Sequence, residues 1–103
     1  MGLYRRVLSG QIAPGQHAKF LAAVEEALDY QAQRGIAAQY AVWDSVTGPT
    51  TAVEIVSEFD ALEELEQFEE LVAQDQLFAE LRGKVMQALI PGSATVNLYR
   101  RLV

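Results

Sequence analysis

The stretch VWDSVTGPTTAVEIVSEFDALEELEQFEEL, residues 42–71, contains two strands, a turn and the start of a helix with no crossover segment between the strands. Val42 and Trp43 end one run of bulky strand formers, and Thr47-Gly48-Pro49-Thr50 is a cluster of turn residues. From Thr51 to Phe59 the pattern alternates, with Val53, Ile55 and Phe59 on one face and Glu54 and Glu58 on the other. A period of two with charge on one side marks a strand with one face against a core. At Asp60 the period changes to that of a helix. Asp60-Ala61-Leu62-Glu63 has the spacing of a capping box, Asp60 as N-cap and Glu63 reaching back. Leu62, Leu65, Phe68, Leu71 and Val72 then recur on one side.

The flanks complete the order. Residues 3–12 read as a strand. Pro14-Gly15 opens a helix in which Phe20, Leu21, Val24, Ala27 and Leu28 form the apolar stripe, and Gly35 stops it. Residues 36–46, with Tyr40, Val42 and Trp43, form the second strand. After residue 71, Asp75 caps a further turn or helix that buries Leu77, Phe78, Leu81, Val85 and Leu89; Pro91-Gly92 ends it, and 94–102 is the last strand. The order β-α-β-β-α-β, with its second helical region broken in two, is that of the ferredoxin-like α+β fold. Its antiparallel sheet runs 4-1-3-2, the helices cover one face, and residues 1–103 make a single domain. The other face is left open. On so small a domain a second copy in a two-fold dimer is the simplest cover for it.

Composition limits the functional classes. The chain has 103 residues, 50% of them apolar, a formal charge of −6 and no cysteine. The acidic balance argues against a nucleic-acid partner. The lack of cysteine removes thiolate metal sites and disulfides, and fits a reducing cytoplasm. No apolar run approaches membrane-spanning length, and the N-terminus lacks the pattern of a secretion signal.

Four segments carry a resemblance to a known group: an Arg-bearing first strand leading into APGQHAKFLAAVEEAL (13–28), the hairpin VWDSVTGPTTAVEIVSEF (42–59), SEFDALEELEQFEEL (57–71) and DQLFAELRGKV (75–85). Together they resemble the dimeric α+β barrel proteins, in particular the NIPSNAP-like and antibiotic-biosynthesis-monooxygenase-like families. The resemblance implies two sheets packed face to face as a homodimer, with a small apolar or aromatic ligand between each sheet and its own helices. It implies cofactor-independent monooxygenase or isomerase chemistry, or a non-enzymatic binding or assembly module; it calls for no cofactor. The chain departs from the haem-degrading branch, because its first strand has no Asn and its only His opens the first helix.

Candidate site residues follow from chemistry and strand parity. His17 is the only histidine of the chain, and so a candidate general base. No second His or Cys completes a transition-metal site around it. Glu63, Glu66 and Glu70 have a ligand-like spacing, but they belong to the solvated side of a helix. Tyr4, Tyr40, Trp43 and Tyr99 are aromatic candidates for a ligand pocket. Tyr40 and Trp43 have opposite parity, so one faces the helices and the other the open side.

Two Tyr-Arg-Arg units, at 4–6 and 99–101, hold four of the eight basic residues. In the 4-1-3-2 order they meet at one end of the sheet, where Glu58, Asp60 and Glu63 can balance them. Each pair sends one guanidinium to each face. Arg6 or Arg101 is thereby the candidate anchor for a carboxylate or enolate. Leu3/Val7 and Tyr4/Leu8 serve equally well as the inward parity, so sequence leaves the inward Arg open.

Overall fold

The structure is a computed structural model that describes residues 2–35, 39–48 and 50–103. Its elements are β1 (Tyr4–Gln11), α1 (His17–Gln33), β2 (Gln39–Asp44), β3 (Ala52–Phe59), α2 (Leu62–Gln74), α3 (Gln76–Gln87) and β4 (Thr95–Arg100). The expected second-strand residues 36–38, and Pro49 of the turn, lie outside the described residues. All strand pairs are antiparallel and the sheet order is β2-β3-β1-β4. This is the expected α+β architecture.

Three local expectations are corrected. Pro14 and Gly15 do not open α1; they form a turn in which Gln16 N–H donates to the Ala13 carbonyl at 3.0 Å. Gly15 has φ +74, the sign required at the third position of a type II turn, and proline suits the second. The capping box of α2 slips by one residue. Ala61 is the N-cap, and Glu64 rather than Glu63 accepts from the Asp60 N–H at 3.2 Å. Finally, Leu21, Leu62 and Leu77 are exposed. Leu21 and Leu77 each adjoin a buried Phe, and neighbours on a helix point about 100° apart, so only one of each pair reaches the core.

The break between α2 and α3 is built by Asp75. Its Oδ1 accepts from the Phe78 N–H at 2.9 Å, capping α3, and its Oδ2 accepts from the Tyr30 hydroxyl at 2.7 Å. These bonds, the Tyr30 one foremost, hold the Asp75 carboxyl below the ordinary aspartate range. A depressed folded-state pKa means that the ionised group stabilises the fold above its unfolded pKa, about 3.9, and that this stabilisation is lost as pH falls through the folded value. Asp75→Ala is therefore expected to lower Tm by about 4–8 °C at neutral pH, the effect of losing one helix cap in a domain of this size. In thermal melts at decreasing pH the gap to wild type should close below about pH 4; a gap independent of pH would contradict this role.

The core has two halves. Phe20, fully buried, centres one with Leu8, Ile12, Val53, Val85 and Leu89. Phe59 centres the other with Leu65, Phe68, Leu71, Phe78 and Leu81. Both lie between the sheet and the helices, and their meeting line is where the site forms. Among the described residues no helix is long and apolar enough to cross a membrane.

Candidate functional site

Strand register turns single residues into rows that run across the sheet, because directly paired residues share a face. On the helix side one row reads Val42, Ile55, Leu8, Val96. The next reads Tyr40, Ser57, Arg6, Leu98, and beyond it lie Phe59, Tyr4 and Arg100. A polar row is thus inserted between apolar ones on the covered face. Register resolves the ambiguous parity: Tyr4, Arg6 and Leu8 face the helices, and Arg5 and Val7 face the open side.

A cleft of about 50 Å³ lies over this row, room for a few waters or a small planar group. Leu8, Val24, Ala27, Phe68, Phe78 and Val85 line it from both halves of the core, with Leu28, Ile55 and Met86 also on its walls. Its polar lining is Arg6, Ser57, Gln31 and Arg82.

Arg6 is 8% exposed. Its Nε donates to Glu69 Oε1 at 3.2 Å, and its guanidinium carbon lies 4.9 Å from the centre of the Phe68 ring, a cation–π placement. Burial pulls the Arg6 pKa down, Glu69 opposes that, and nearby Arg82 adds to it. Neither Nη group has a hydrogen-bond partner among the described residues. Arg82 makes no ion pair among them either. Two guanidiniums against one carboxylate leave the cleft positive within an acidic protein, and such a field favours an anion.

Gln31 of α1 hangs over the same row. It is 2% exposed and its Nε2 has no hydrogen-bond partner among the described residues. Tyr40 flanks it, half-buried, and burial raises the phenol's pKa. The Gln31 amide approaches the phenol within hydrogen-bonding range and opposes that rise, although its Nε2 meets no partner in good hydrogen-bond geometry among the described residues. Ser57 is buried and makes no hydrogen bond with its hydroxyl among the described residues.

The sequence-derived candidates separate as follows. Arg6 is in the cleft, Tyr40 flanks it, and Tyr4 packs on the Phe59 half of the core beside it. Trp43 and Tyr99, 60% and 53% exposed, are on the open face and do not join the cleft. Trp43 shares a row with Glu54, Ser9 and Thr95, and Tyr99 one with Arg5, Glu58 and Gln39. Arg101 lies beyond β4, with its backbone N–H on the Leu3 carbonyl and its Nε on the Val103 carbonyl, so of the two candidates it is Arg6 that faces the helices. His17 is exposed at the start of α1 and far from the polar row, at the end of the sheet where Gly10 pairs with Val53.

The basic cluster does gather as strand order requires: Tyr4 pairs with Arg100 and Arg5 with Tyr99. Glu58 balances Arg5, with Nη2–Oε1 at 2.5 Å, while Glu69 rather than Glu63 meets Arg6. Sequence reasoning did not single out Gln31, Ser57, Glu69 or Arg82. Gln31 carried a readable signal, since it extends the Val24, Ala27 stripe by one turn as a polar residue in an apolar series. Among the described residues no group of three His, Cys, Asp or Glu side chains is placed to hold a metal ion.

No family model and no curated protein matches this chain. Solved structures do. A protein from Bordetella bronchiseptica, provisionally described as an antibiotic biosynthesis monooxygenase, superposes with a TM-score of 0.77 at 17% identity, covering 100% of both chains. An uncharacterized NIPSNAP domain protein from Burkholderia xenovorans gives 0.72 at 15% identity, covering 96% of this chain and 94% of that one. A conserved protein from Methanosarcina mazei gives 0.75 at 19%, covering 97% and 94%. The chain therefore has the ferredoxin-like α+β fold of NIPSNAP-family and antibiotic biosynthesis monooxygenase-like structures, as its sequence segments imply.

Proposed function

We propose that this protein binds a small, largely apolar molecule bearing an acidic or enolic oxygen, held between the sheet and the helices, and that it works as a homodimer joined through the open sheet face. The observation that carries the ligand reading is Arg6: a buried guanidinium in an apolar cleft with both Nη groups unpartnered among the described residues. A charged group is costly to bury unless its donors are used, and a carboxylate or enolate would use them in bidentate fashion. The support for the dimer is an open face whose central row is Ala41, Val56, Val7 and Asn97.

Structures of this fold described as antibiotic biosynthesis monooxygenases suggest oxygenase chemistry; the cofactor-independent and isomerase alternatives rest on the resemblance of the sequence segments. In such chemistry Arg6 would stabilise a substrate enolate electrostatically. A general base must reach the proton it removes. His17 is at the far end of the sheet, and Glu69 is already bonded to Arg6. Ligand binding, in a module that need not be an enzyme, is thus the reading that the geometry supports best.

A thermal-shift panel of hydroxyquinones, polyketide-like aromatics, fatty acids and haem tests this. Acidic aromatic or aliphatic members should raise Tm through mass action. Arg6→Met should weaken their binding at least tenfold by calorimetry while the protein stays folded and its oligomeric state is unchanged. Retention of full affinity in Arg6→Met would overturn the assignment.

A further inference from the structure

We infer that Gln31 determines which anion the cleft accepts. The ligand carries, beside its anionic oxygen, a separate neutral carbonyl oxygen that takes the Gln31 Nε2 donor. This rests on the Arg6 reading and narrows it to a substrate class: compact, apolar keto acids and their enolic equivalents.

The argument begins with α1. A polar residue on the buried stripe of an amphipathic helix opposes folding unless its groups are bonded, since an unsatisfied buried donor costs more than the average hydrogen bond contributes. Gln31 is almost completely buried, lines the cleft, and has no partner for Nε2 among the described residues. Every neighbouring position of the stripe, Val24, Ala27 and Leu28, is apolar, so helix packing gives no reason for an amide here. The orphaned group is a donor. Gln31 lines the same cleft as Arg6, whose Nη groups are also donors with no partner among the described residues.

Among the described residues the one carboxylate bonded to a cleft side chain, that of Glu69, is engaged by Arg6 Nε. A ligand that satisfies the cleft must therefore bring acceptors on two sides. Charge assigns their kinds. The guanidinium, with Arg82 nearby, takes the anionic oxygen, and the uncharged amide takes a neutral one. The small cleft, walled by Phe68 and Phe78, favours a flat and compact framework between them. Sites built to hydrogen-bond a ligand reject analogues lacking that group far more strongly than apolar pockets reject a missing methylene, which is why one amide can set specificity.

Matched probes test this on the intact protein. Phenylpyruvate and 3-benzoylpropionate each carry a carboxylate and a ketone at different separations. 3-Phenylpropionate and 4-phenylbutanoate are the same skeletons with the ketone reduced to methylene. Calorimetric affinities are compared for wild type, Gln31→Leu and Arg6→Met. At least one keto acid should bind wild type tenfold or more tightly than its parent. Gln31→Leu should abolish that preference while leaving the parent acid's affinity in place, and Arg6→Met should weaken both.

If wild type binds keto acids and parents equally, with Arg6 still required, the inference about Gln31 fails and the anion site stands. It fails in the same way if the preference survives in Gln31→Leu, as it would were the amide satisfied by water only. If none of the four acids binds, both readings fail. Gln31→Leu should also melt no lower than wild type, which separates lost recognition from lost folding.

Discussion

Phe68→Ala is expected to remove about 3–5 kcal/mol of stability, the usual cost of truncating a buried Phe, and to lower Tm by at least about 12 °C. Phe68 is 4% exposed and touches three partners whose loss adds up. Its ring centre is 5.5 Å from that of Phe59 and 6.0 Å from that of Phe78, tilted and edge-on respectively. Each such pair contributes about 0.5–1.5 kcal/mol beyond simple burial. On its remaining side the ring supports the Arg6 guanidinium. Phe68→Leu keeps most of the apolar volume and should cost only about 1–2 kcal/mol, largely from the lost ring geometry.

The pair of variants separates two roles. If Phe68 positions Arg6, Phe68→Leu should weaken binding of an acidic probe more than its modest stability loss explains, because the guanidinium loses the surface that fixes it. Urea titration and calorimetry measure the two effects. A loss under about 1.5 kcal/mol in Phe68→Ala would show that this half of the core repacks around the gap.

How much of the molecule was legible in its sequence depends on the kind of signal. The hairpin at 42–59 and the helix after it read directly, because alternation and helical period are properties of single segments. Asp75 read equally well, since a cap is a local device. Arg6 did not, and the reason is specific: Val7 sits at the centre of the open face and is itself 7% exposed, so both parities of β1 present apolar residues. Only the pairing of Arg6 with Ser57, a long-range fact, fixes the face.

Glu69 was hidden for the opposite reason. It lies in an acidic run whose members look alike in one dimension, and only the packing of α2 on the sheet singles it out. Trp43 and Tyr99 attracted notice as aromatics, yet size alone does not say which side of a sheet a residue occupies. Gln31 is legible in one dimension, as a polar interruption of an apolar stripe that helical spacing exposes without any tertiary knowledge.

Val56→Lys should raise the dissociation constant of the proposed homodimer by at least about 100-fold, equivalent to about 2.7 kcal/mol. Val56 and Val7 pair across the two central strands, with Ala41 and Asn97 outside them. In a face-to-face sheet pair, with layers about 10 Å apart, this row would be buried first. An ammonium introduced there would lose water in such a dimer, and a two-fold axis crossing this row would bring its mate close to it, so both desolvation and like charge would oppose association. The monomer should tolerate the change well. Glu54 and Glu58 flank the position on the same strand and face, and Glu58 is bonded to Arg5 at one side only of the pair of acids. Sedimentation over a concentration series gives the constants, with Val56→Leu as a variant that should remain dimeric. A wild type that stays monomeric at high concentration would rule out the dimer, and an equally tight Val56→Lys dimer would move its interface elsewhere. Because Val56 and Arg6 occupy opposite faces of the sheet, the monomeric variant should still bind the acidic probe. Loss of binding together with the dimer would instead mean that the partner completes the cleft.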